Sequence, residues 1–140
     1  MHKRQQIRTE LKSLVESAVS VPVYMNRVYP ITEAQVVLIY PESEDITYLN
    51  MGTDRDQRRS HMIRIEVAVR GKVNYDNKID DIMEQIEESL ANTDLNGLAH
   101  DVMITGYQVD FNGESEVPVG AGLLNVNVVY TTQESNVGEI

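Results

Sequence analysis

Residues 62–70 alternate: Ile63, Ile65, Val67 and Val69 fall on one phase, and Arg64, Glu66 and Arg70 on the other. Successive strand side chains point to opposite faces, so this stretch predicts a strand with one buried and one wet face. Such a strand must lay its apolar face on another layer. Two other stretches offer one. Residues 3–19 place Ile7, Leu11, Leu14, Val15 and Ala18 on one helical stripe roughly 100° wide. Residues 75–91 do the same with Tyr75, Ile79, Ile82, Met83, Ile86 and Leu90.

The remaining apolar runs read as strands. Val36-Val37-Leu38-Ile39-Tyr40 is continuously apolar, which suits a strand covered on both faces. Residues 22–29 and 46–49 are shorter strand candidates, with Pro22, Pro30 and Pro41 as punctuation. Residues 102–111 and 122–131 form a last pair, joined by 112–121. Val102 and Ile104 fall on one phase and Tyr107, Val109 and Phe111 on the other; Gly106 stands at the switch and predicts a β-bulge. Gly120 and Gly122 lack the third glycine and the Lys of a phosphate loop and read as a hairpin turn. The order is α-β-β-(β)-β-α-β-β, without internal repeats. It predicts an α+β fold: one mixed, mostly antiparallel sheet with two helices packed on one face. A single domain over residues 1–132 and a flexible polar tail over 133–140 are expected.

Chemistry-bearing patterns are sparse. Zero Cys among 140 residues excludes disulfides, thiol catalysis and Cys-bound metals. The three histidines, His2, His61 and His100, have no i,i+4 partner and no HExxH context, and read as exposed or capping residues. The expectation is a protein without catalytic residues, metal or cofactor. No apolar run approaches the roughly 20 residues of a membrane helix.

Charge is informative in its distribution. The formal net charge is −10, yet all twelve Lys and Arg lie at or before Lys78. Residues 79–140 carry twelve Asp and Glu and no basic residue. A general nucleic-acid binder would be basic over a face, which excludes that class. The polar stretch 50–60 reads as a long loop. Its Asp54, Arg55, Asp56, Arg58 and Arg59 are candidates for a subunit interface, with Tyr24, Met25, Tyr29, Tyr48 and Met51 as packing anchors. Asp80, Asp81, Glu84, Glu87 and Glu88 line the second helix. With Glu114 and Glu116 they are candidates for an acidic partner or channel surface.

The series of short features resembles one family. Ile7-Arg8, Leu11 and Val15 open the chain, followed by Val23-Tyr24, Arg27 and Pro30. Tyr40-Pro41 closes an apolar strand, and Ile63 to Val67 follows the polar stretch. Ile79 to Met83 and Ile86-Glu87 mark the second helix, Thr105-Gly106-Tyr107 and Val128-Val129-Tyr130 the final strands. In this order they resemble the tail terminator proteins of long-tailed bacteriophages, the minor tail protein U-like family and its tail-completion relatives. The resemblance implies a hexameric ring that caps the tail tube, stops its polymerisation and offers a surface to head-completion proteins. It implies a place at the head-proximal end of the virion tail, after assembly in the host cytoplasm. DNA would pass through without specific binding. The stretch 50–60 would be the ring-contact loop. Alternative readings are a head–tail joining or neck protein of the same particle, or a small ligand-binding regulatory domain.

Overall fold

The computed structural model describes residues 1–25, 34–71, 75–112 and 119–138. These form helices α1 (Lys3–Ala18) and α2 (Tyr75–Leu90) and strands β1 (Val23–Met25), β2 (Gln35–Tyr48), β3 (Asp56–Arg70), β4 (Asp101–Asn112) and β5 (Val119–Gln133). The strands make one sheet in the order β1-β2-β3-β5-β4. β1 is parallel to β2; every other pairing is antiparallel. The α+β expectation, including the mixed sheet, is correct.

The alternating strand sets the layers. Ile63, Ile65, Val67 and Val69 point at the helices beside Leu124, Val126, Val128 and Tyr130 of β5 and Val37 and Ile39 of β2. Ile7, Leu11 and Val15 of α1, and Ile79, Ile82, Met83, Ile86 and Leu90 of α2, close this core from above. Each fully buried aliphatic side chain contributes about 1.5–3 kcal/mol of transfer free energy. The β2 run is buried on both faces, because Val36 and Leu38 form a second small cluster with Ala68, Tyr24 and Tyr40 on the face without helices. Met25 is half-buried; Tyr29 lies outside the described residues.

The helices start and stop for local reasons. His2 caps α1, its ring Nδ1 accepting the Arg4 N–H at 3.0 Å. Val19 turns to extended backbone, and Pro22 follows. α2 opens with Asp76 in its first turn, which suits the positive helix end. Asn74, which by residue type would suit an N-cap just before this helix, lies outside the described residues.

Three sequence expectations are corrected. The apolar run Val36–Tyr40 and the candidate 46–49 are one strand, because β2 runs through Pro41. The missing N–H costs nothing there: β1 ends opposite Ile39, so among the described residues no strand pairs with the outer edge of β2 at Pro41, and a register shift follows between Pro41 and Ser43. The expected loop 50–60 is short, because β3 begins at Asp56 and the hairpin connection spans only Leu49 to Arg55. Gly120 and Gly122 lie inside β5 and not in a turn. A Cβ on Gly122 would stand 2.6 Å from Ile79 Cγ2 and 2.9 Å from the Tyr107 hydroxyl, so glycine there admits α2 onto the sheet.

The predicted bulge is present between Ile104 and Gly106. It brings Val102, Ile104, Tyr107 and Val109 to the same face despite their opposite sequence phase, since they pair with Val128, Val126, Leu124 and Gly122.

Candidate functional site

Below the helices, β2, β3 and β5 continue toward the hairpin and carry polar residues into the core layer. Gln57, Arg59 and His61 hold the same phase as Ile63, so they point at α1 and are 6%, 7% and 2% exposed. Glu44 and Tyr130 stand opposite His61 and Arg59 in the neighbouring strands.

These side chains form one network. Glu44 Oε2 accepts hydrogen bonds from Arg4 Nη1 at 2.6 Å and Arg59 Nη1 at 2.8 Å. Glu44 Oε1 accepts the Tyr130 hydroxyl at 2.5 Å. Arg59 Nε donates to Thr132 Oγ1 at 3.0 Å and its Nη2 to Gln57 Oε1 at 2.8 Å. His61 Nδ1 lies 3.3 Å from the Ser43 carbonyl, and its Nε2 lies 3.2 Å from Arg8 Nη1. An Arg can only donate, so the ring fits as the neutral tautomer with its proton on Nδ1.

The electrostatics follow. Burial pulls the Glu44 carboxyl up, but the Tyr130 and Arg59 hydrogen bonds and the Arg4 charge outweigh it, and the group sits below the usual carboxylate range. Burial pushes the His61 imidazole down, and Arg8 adds to this against the opposing pull of Glu44. Burial and the bond to Glu44 raise the Tyr130 hydroxyl strongly. Two guanidiniums and a phenol thus share one buried carboxylate.

The hairpin tip is tied down from both sides. Asn50 and Asp56 exchange hydrogen bonds at 2.9 and 3.1 Å. Arg55 forks onto Glu134 at 2.8 and 3.1 Å, and its guanidinium stacks 4.1 Å from the Tyr48 ring centroid. Asp54 accepts the Ser135 N–H at 3.0 Å. Residues 134–138, expected as part of a flexible tail, continue back to α1. The Val137 carbonyl accepts the Lys3 N–H at 2.8 Å, and the Gly138 carbonyl accepts Gln6 Nε2 at 2.9 Å. On this frame Ile46, Tyr48, Leu49 and Met51 are exposed, Met51 to 95%.

The sequence-predicted site residues are therefore sorted by the fold. Asp54 and Arg55 sit in the tip, Asp56 opens β3, and Arg58 is exposed on the face away from the helices. Arg59 is turned inward to Glu44. Asp80, Asp81, Glu84, Glu87 and Glu88 are all exposed along α2. The Tyr107 hydroxyl hydrogen-bonds Asp80. Burial first, then the charges of Asp80 and Glu87, pushes that hydroxyl up, so this flank of α2 faces the edge strand β4. Glu114 and Glu116 lie outside the described residues. His61 is the corrected histidine: it is buried and neither exposed nor capping. Its signal was present in the unbroken phase of residues 57–69.

Among the described residues no group of three or more His, Asp or Glu is arranged to hold a metal. No described helix is long and apolar enough to cross a membrane.

No protein-family model and no curated protein sequence matches the chain. Solved structures share its fold. A chain of the virion of a native gene transfer agent particle is 15% identical with a TM-score of 0.51, the match covering 91% of this chain and 92% of that one. A chain from the PVC sheath/tube terminator of an extracellular contractile injection system, in the extended state, is 10% identical with a TM-score of 0.52. That match covers 96% of this chain and 59% of the terminator chain. At these identities the likeness is one of fold.

Proposed function

We propose that this protein is a structural subunit of a tail-like particle: a terminator that assembles as a ring, caps the tube and offers the joining surface for the head. The carrying observation is the fold shared over 96% of the chain with a sheath/tube terminator. The charge layout supports a head-to-tail ring. α1 packs beside β1 and reaches β2 and β3 through Arg4 and Arg8, while the Asp80 flank of α2 faces β4 at the other side of the sheet. Opposite charges on opposite sides suit a heterologous contact, in which one patch meets a different patch on the next copy. Hexamer is the ring size implied by the resemblance to phage tail terminators.

The rigid tip, with Tyr48, Leu49 and Met51 outward, would be the part of the hairpin that meets a neighbour. Arg55 and Arg58 would border that contact, while Arg59 would support it from inside. The acidic surplus suits a channel that DNA crosses without sticking, since carboxylates repel phosphates.

Light scattering on the purified chain, alone and with its tube protein, tests the reading. A ring mass and a capped tube by electron microscopy support it; a monomer under both conditions sinks it. A neck or head–tail joining role is the second reading. The gene transfer agent virion chain, matched over 92% of its length, suits either role as a particle subunit, and co-purification with a head connector instead of the tube would decide for it.

A further inference from the structure

We propose that a pocket floored by Lys3 binds a carboxylate side chain from a second copy of this chain. The proposal deepens the ring reading and rests on it for the identity of the partner.

Lys3 is the first residue of α1 and only 5% exposed. Its ammonium has three donors. One is spent on the Thr131 carbonyl at 3.1 Å, and the Tyr130 ring centroid lies 5.9 Å away. Among the described residues no carboxylate stands within 4 Å of it. Burial pushes its ammonium down. A buried cation lacking an anion is costly, and the cost is relieved when an anion arrives.

The surroundings increase the demand. Arg4, Arg8 and Arg59 occupy the same layer, and the nearby buried carboxylate, Glu44, is already shared by Arg4, Arg59 and Tyr130. The first turn of α1 holds no acid, although a helix N-terminus favours one. The backbone does not supply the missing contact. The N–H groups of Lys3, Arg4, Gln5 and Gln6 are taken by the Val137 carbonyl, the His2 ring and the His2 carbonyl.

Beside the ammonium lies a cavity of about 350 Å³, lined also by Leu49, Asp56, Thr131, Thr132, Gln133 and Asn136. Gln133 and Asn136 bring amide donors of the kind a carboxylate accepts. Asp56 is itself a carboxylate on this wall, with Oδ2 held by Asn50 at 3.1 Å. It repels a dianion such as phosphate and leaves a single carboxylate as the better-matched guest.

The partner is a second copy because the chain itself carries the acids. Glu84 and Glu88 are exposed one turn apart on α2, and neither has a hydrogen bond or ion pair among the described residues. The Lys3 pocket lies at the hairpin end and the acids on the helix near β4, so the contact is head to tail.

The test uses the full chain. Lys3→Met, Lys3→Arg and the pair Glu84→Gln with Glu88→Gln are compared with wild type by sedimentation over a concentration series. The thermal midpoint of the monomer is read in parallel. We expect Lys3→Met and the glutamine pair each to move the assembly midpoint at least tenfold higher in concentration, and Lys3→Arg to stay near wild type. A purely structural Lys3 would lower the thermal midpoint and leave assembly unchanged, which overturns the proposal. If Lys3→Met does not fold, the glutamine pair decides: assembly like wild type overturns it. If wild type never assembles, the ring reading fails instead. The pocket is then titrated with N-acetylglutamate amide and followed by NMR of the Lys3 side chain. Saturable binding that glutamine amide lacks supports a carboxylate site; no binding removes it.

Discussion

Glu44 and Tyr130 share the shortest hydrogen bond of the buried network, 2.5 Å from phenol to carboxylate, while the other Glu44 oxygen takes Arg4 and Arg59. One carboxylate thus joins β2, β3, β5 and α1. Removing it strands the guanidinium of Arg59, whose side chain is only 8% exposed. Glu44→Ala is expected to cost about 3–5 kcal/mol, the usual penalty for breaking a buried pair from one side. Tyr130→Phe should cost less, about 1.5–3 kcal/mol for one hydrogen bond to a charged group. Urea denaturation measures both. A Glu44→Ala loss smaller than that of Tyr130→Phe would contradict the central role of the carboxylate.

The same network sets an acid response. The His61 imidazole is held down in the fold, so below its ordinary value near 6.5 the unfolded chain binds the proton first. Stability therefore falls as pH drops from about 6.5 toward the lowered folded value. The Glu44 carboxyl is also lowered, so its contribution is present above the ordinary carboxylate range near 4.5 and is lost as pH falls below it. His2 is lowered too, by burial and then by Arg4, and acts in the His61 window. The thermal midpoint should decline in two steps between pH 7.5 and 3.5. His2→Asn keeps an N-cap and isolates His61. Adding His61→Gln should flatten the upper step, and an unchanged upper step would exclude His61 as its source.

How far the sequence reveals this site can be judged residue by residue. The apolar periodicity of β3, α1 and α2 shows their inward faces, because apolar side chains can be buried alone. The polar continuation at Gln57 and Arg59 looks like loop and His61 like an exposed or capping residue, because a polar residue is buried only when a partner distant in sequence satisfies it. Those partners are Glu44, Ser43, Arg8 and Thr132, 15 to 75 positions away. No local pattern announces them. Pro41 misleads for a related reason: it breaks a strand only where its N–H is needed, and among the described residues no strand pairs with that edge of β2 beyond Ile39. At Gly106, by contrast, the phase switch and the glycine lie within one strand, so the bulge is readable.

Gly122 offers a packing test. Its hydrogen faces Ile79 Cγ2 and the Tyr107 hydroxyl, where a methyl group would sit at 2.6 and 2.9 Å. Ile79 is held in the core and cannot swing aside freely. Gly122→Ala should destabilise by about 1–3 kcal/mol, as overpacking does. Adding Ile79→Val removes a methyl from the same space and should recover part of the loss. A double-mutant cycle in urea measures the coupling. Additive effects would show that the two residues do not compete for that space.

The tie between Arg55 and Glu134 should act locally. Both groups lie at the surface, so water screens the pair and it contributes little to global stability. Its geometry is nevertheless specific: the guanidinium forks onto the carboxylate while covering the Tyr48 ring, and Asp54 holds the next backbone N–H. Together these fix the tip that presents Met51. Arg55→Ala should therefore leave the urea midpoint nearly unchanged and raise amide exchange over residues 49–55 and 134–138. Glu134→Gln, which keeps an acceptor but loses the charge, should give a smaller rise in the same segments. Hydrogen exchange by mass spectrometry reads both. If the tip is held mainly by the Asn50–Asp56 exchange instead, exchange will stay at the wild-type level in both variants, and Asn50→Ala will raise it alone.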